Sequence, residues 1–136
     1  MRSFVVTGRR ELMQALLTKD VFDRFLVSEV TVRKGALLSL DGHEADGGIV
    51  EYGGVRNVVY GFIKGRETPS YMKFVLLSPE NPPGVTSRSV NIIFRDGSLV
   101  ITSGIAYRSF TTDKTEEGNW DEWTKSFLLS VGIDFQ

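Results

Sequence analysis

Residues 90–104, VNIIFRDGSLVITSG, join two β-rich apolar runs through Asp96-Gly97. An Asp-Gly pair between such runs predicts a two-residue hairpin, because both central residues of that turn take positive φ. Working outward, MKFVLLS at 72–78 predicts a preceding strand, and PENPPGVTSRS at 79–89 predicts an exposed Pro/Ser loop between the two. On the other side IAYRSFTT, residues 105–112, predicts a further strand that closes this sheet. A terminal helix near 115–130 follows. Asp113 and Glu116 have the spacing of a capping box, and Trp120, Trp123, Phe127 and Val131 form an apolar stripe expected to lie in the core.

The first half carries a similar alternation. SFVVT at 3–7 predicts a short strand, and Thr7 is placed to cap a helix near 8–18, in which Leu12, Leu16 and Leu17 recur at helical spacing. After a turn at Asp20–Phe25, FLVSEVTV predicts a half-buried strand, Gly35 a tight hairpin, and ALLSL the partner strand. DGHEADGGIVEYGG, residues 41–54, holds five glycines and four acids, the composition of a loop with one short strand at IVEY. VRNVVYGFIKG then puts Val55, Val58, Val59, Phe62 and Ile63 on one face of a helix near 55–64, with Gly65 as its stop.

The order β-α-β-β, (β)-α-β-β-β-β, α predicts one α+β domain over residues 1–136 with a mostly antiparallel sheet and three helices, built from two strand-helix-hairpin units. At this length folding buries roughly two-thirds of the surface of the open chain. Hydrophobic residues at 41% and charged residues at 24% are ordinary globular values, so neither disorder nor a membrane span is favoured. Cysteine is absent, which excludes disulfides, thiolate nucleophiles, iron–sulfur clusters and sulfur-ligated zinc. MRSFVVTGRRELMQ reaches arginine and glutamate before any apolar run of secretory length, and no later run approaches about 18 apolar residues. The expectation is a cytoplasmic protein without a membrane segment.

Few residues suggest chemistry. Asp41, His43, Glu44 and Asp46 gather three carboxylates and the chain's one histidine in six residues, a donor set able to hold a divalent cation. Their spacing matches no EF-hand loop, HExxH helix or facial triad, and Asp and Gly are also what a turn requires. No nucleophile elbow, dinucleotide fingerprint or phosphate loop occurs, so no catalytic residue and no cofactor is assigned. Arg9, Arg10, Arg56, Lys64 and Arg66 would form a basic strip if the first two helices lie side by side, yet the net charge of −1 argues against tight nucleic-acid binding. Trp120 and Trp123 are alternatives between core packing and an interaction anchor. The 79–89 loop carries Glu80 and Arg88 in no recognisable constellation.

LLTKDVFDRFLVSEV, LSLDGH, FIKGRETP, KFVLLSPEN, DGSLVITSG, FTTDK and WDEW, spread over nearly the whole chain, resemble a small domain-of-unknown-function family of Firmicutes-type bacteria. The resemblance implies an intracellular bacterial protein of one domain and assigns no activity or site. The order of elements is also distantly similar to a domain of the DNA sliding clamps, and such a likeness of fold carries no function. The expected function is a non-enzymatic binding or assembly module with a protein partner or a second copy of itself. The alternative is a metal-dependent enzyme centred on Asp41, His43, Glu44 and Asp46.

Overall fold

Asp96 and Gly97 adopt φ values of 52° and 76°, the left-handed conformations that the hairpin demands. In the computed structural model, which describes residues Met1–Gln136, they join β5 (Val85–Arg95) to β6 (Ser98–Tyr107). The elements before them are β1 (Arg2–Val5), α1 (Arg9–Leu17), β2 (Leu26–Lys34), β3 (Ala36–Asp41), a 3-10 turn at Tyr52–Gly54, α2 (Arg56–Ile63) and β4 (Tyr71–Leu77). The last is α3 (Thr115–Ser130). This is an α+β fold in which all six strands make one antiparallel sheet, ordered β1-β6-β5-β4-β2-β3.

Strand pairing sorts the side chains into two faces. Phe4, Ile101, Ile92, Phe74 and Val30 follow one another across five strands, and all five are buried. The neighbouring row, Val5, Val100, Ile93, Lys73, Thr31 and Ser39, points the other way and is half-buried or exposed. Alternation along each strand makes this split inevitable once the register is set. The helices cover only the first face: Leu12, Leu16, Val59, Ile63, Trp120 and Leu128 join its residues in one buried cluster. No helix is long and apolar enough to cross a membrane.

Several local expectations are corrected. β5 begins at Val85, so half of the expected 79–89 loop is strand, paired through Arg88↔Ile105 and Ser89↔Gly104. β6 runs unbroken to Tyr107, and the strand beyond it that closes the sheet is β1 instead of residues 105–112. The IVEY segment makes only isolated bridges, His43↔Ile49 and Leu26↔Glu51, before the 3-10 turn. No strand therefore leads the second strand-helix-hairpin unit.

In β2 a bulge between Val27 and Glu29 sends both Val27 and Val30 inward, where strict alternation would separate them. The same place requires Gly42, since a Cβ there would lie 2.0 Å from the Val27 carbonyl oxygen. Thr7 does not cap α1. Gly8 is the N-cap, and the amides of Thr7 and Gly8 both donate to the Asp134 carbonyl at 3.0 Å.

Candidate functional site

α3 settles the question its tryptophans pose by dividing them. Asp113 holds its start, accepting from the amide of Thr115 at 2.9 Å and its hydroxyl at 2.7 Å, and these bonds keep its carboxyl below the usual aspartate range. The expected capping box does not form: the Asp113 carboxylate bonds Thr115 instead of the Glu116 amide, and the Asp113 amide donates to Thr111 Oγ1 instead of the Glu116 side chain. The helix turns Trp120, Thr124 and Leu128 onto the sheet. Trp120 is 2% exposed, whereas Trp123 is 45% exposed at the border of the core. Val58 of α2 is likewise exposed, contrary to its place in the expected apolar face.

The border position creates a stack. Trp120 and Trp123 lie 4.8 Å apart at 7°, and Trp123 and Phe127 lie 5.1 Å apart at 8°. On the far side of Trp120 the Arg88 guanidinium sits 4.7 Å from the ring centroid, a cation–π contact. Both faces of Trp123 are thus covered and its edge is presented. Phe25 meets Trp123 and Phe127 edge-on at 6.2 Å and 5.7 Å.

A cleft of about 730 Å³ opens over this stack. One wall is the α1–β2 turn with Asp20, Val21, Asp23 and Arg24; the other is the β4–β5 loop with Ser78, Pro79 and Glu80. Both walls are tied down. Arg56 at the start of α2 holds Asp23 through two bonds, 2.8 Å and 3.2 Å, and the pairing raises the guanidinium pKa further. The amides of Tyr52 and Gly53 donate to the carbonyls of Phe25 and Asp23 at 2.8 Å and 3.0 Å. Arg88 Nη2 donates to the Glu80 carbonyl at 2.7 Å and to Ser78 Oγ at 3.3 Å. Volume and fixed walls suit a preformed small-ligand site, for which about 300–1,000 Å³ is usual.

The acidic loop arranges itself differently. Asp41 Oδ1 lies 2.6 Å from His43 Nδ1 and accepts from the His43 amide at 2.9 Å, and the amide bond is the larger cause of its lowered pKa. Asp46 Oδ1 accepts from the amide of Gly48, and Glu44 closes a backbone turn with Gly47 and Gly48. No three His, Asp or Glu side chains come together as a metal would need. The basic strip is also reduced. α1 and α2 do touch, yet Arg56 is paired with Asp23 and Arg9 donates to the Gly97 carbonyl.

Sequence reading names Arg88, Glu80 and both tryptophans without connecting them. The missing signal is the strand character of 85–89: continued backwards from Val90 and Ile92, the two-residue period puts Arg88 on the helix-covered face. A family model, described as a family of unknown function (DUF5721), matches residues 15–136. No curated protein and no solved structure matches the chain.

Proposed function

Because the chain belongs to a family of unknown function, DUF5721, we propose its role from the site: a non-enzymatic binding module of the bacterial cytoplasm, which seats its ligand in the cleft between α3, the α1–β2 turn and the β4–β5 loop. One observation carries this reading. Trp123 stays 45% exposed on the floor of the cleft, where covering its apolar surface would gain roughly 25 cal/mol for each Å² removed from water. A tryptophan serving only the core would be turned in, as Trp120 is.

The test is amide chemical-shift mapping of the isotope-labelled protein against a library of small aromatic and aliphatic fragments. Binders should perturb residues 20–25, 78–80 and 120–127 together, and Trp123→Ala should abolish those responses while leaving the fold intact. Perturbations gathered at residues 41–46 instead, or on the open face of the sheet, would overturn the assignment.

A further inference from the structure

We propose that the ligand of this cleft is a small aromatic monocarboxylate, its carboxylate held by Arg88 and its ring by Trp123 and Phe25; the proposal rests on the cleft being the binding site. Arg88 is a cation with unfinished business in its own protein. It forms no ion pair with any carboxylate. Its Nη2 is used by Glu80 and Ser78, whereas its Nε is buried and finds no acceptor among the protein's own atoms. A buried N–H of a charged group left unpaired is more costly than a neutral one. Stacking on Trp120 at 4.7 Å steadies the guanidinium plane but accepts no hydrogen bond in that plane.

Nε itself is sealed from the cleft, so a carboxylate would meet the guanidinium along its Nη1–Nη2 edge, where Nη1 has no protein partner, and would supply the counter-charge that Arg88 lacks. The rim argues for a single negative charge. Asp20, Asp23 and Glu80 line the cleft against Arg24 and Arg88, so cations do not outnumber carboxylates and a phosphate dianion is opposed more strongly than a monoanion. The remaining wall selects the body of the ligand. With both faces of Trp123 covered, the cleft offers that ring's free edge, whose positive rim favours the face of another aromatic ring, and Phe25, itself buried, adds apolar wall beside it.

The probes are hydrocinnamate, its uncharged amide, and inorganic phosphate, titrated while following the emission of the two tryptophans, both of which line the cleft. Hydrocinnamate should bind at least about tenfold more tightly than the amide, the range expected for one charged hydrogen-bonding pair. Arg88→Lys, which keeps the charge and loses the fork, should remove most of that preference. Arg88→Met should remove all of it, and where a thermal melt shows this variant unfolded, the lysine variant and the acid–amide comparison still decide.

Equal binding of acid and amide, or an unchanged preference in Arg88→Lys, would overturn the role of Arg88 while leaving the cleft in place. Phosphate binding without hydrocinnamate binding would overturn the aromatic carboxylate in favour of a bare anion site. Should all three probes leave the emission and the 20–25 and 120–127 amides unmoved while other fragments shift them, this proposal fails and the binding site stands. Fragment responses located elsewhere would bring down both.

Discussion

Tyr52 sits in the middle of the core, fully buried, where its hydroxyl donates to the Leu16 carbonyl at 2.7 Å near the end of α1. Tyr52→Phe leaves that carbonyl without its partner, so the expected loss is about 1–3 kcal/mol in urea unfolding; an unchanged midpoint would show that water replaces the bond freely. Burial also pushes the Tyr52 phenol well above its ordinary value. A group whose pKa is raised by folding stabilises fully below its unfolded value and loses that contribution as pH climbs. Above about pH 10 the native protein should therefore lose stability more steeply than Tyr52→Phe. Tyr52 belongs to the expected IVEY strand, and nothing in that segment signals a core anchor, since its burial follows from a 3-10 turn folded under α1. The acidic loop is legible as a turn for the opposite reason: Asp41, His43 and Asp46 bond within a few residues of themselves. Added magnesium, calcium, manganese or zinc should leave the thermal midpoint unmoved and chelator should do the same. A site filled at about 100 times its dissociation constant would add about 2.7 kcal/mol, and such a rise lost in His43→Ala would establish the metal reading.

At the scale of elements, α3 illustrates how periodicity can be read correctly and oriented wrongly. The stripe Trp120, Trp123, Phe127, Val131 and the stripe Trp120, Thr124, Leu128 both fit a helical repeat and differ by a small rotation about the axis. The sheet chose the second, and Trp120 alone satisfies both. Its ring is buried over β5 and its indole N–H donates to the Ser89 carbonyl at 2.9 Å. Trp120→Ala should thus destabilise by about 3–5 kcal/mol, the usual loss for a buried large aromatic. Trp123→Ala should lose markedly less, because much of that ring is already in water. Similar losses for the two, measured as unfolding midpoints, would mean that Trp123 supports the core and is no binding surface. The hairpin at Asp96-Gly97 needed no such arbitration: its φ values are a property of those two residues.

For the whole molecule, net charge and the fate of individual cations decide what is attracted. Of the five basic residues on the α1–α2 side, Arg56 is neutralised by Asp23 and Arg9 is engaged by the Gly97 carbonyl. Each phosphate contact adds about −0.9 to the slope of log affinity against log salt, so the few contacts left would lose their hold at about 150 mM salt. Fluorescence anisotropy with a short labelled duplex should show no micromolar binding there. Tight binding with a steep salt slope, removed by Arg56→Glu with Lys64→Glu, would restore the basic strip as an interface. The sequence by itself determined the α+β class, the positions of the three helices, the central hairpin and the absence of any familiar catalytic motif, because each depends on residues near one another in the chain. Tertiary structure alone decided the strand order, the backward extension of β5, the bulge that turns Val27 inward and the face of α3 that is buried. It also decided the meeting of Arg88 with Trp120, Trp123 and the 20–25 turn. Ladder hydrogen bonds and buried area are conferred by partners distant in sequence, and a half-exposed tryptophan beside an unpaired guanidinium becomes visible only when those partners are in place.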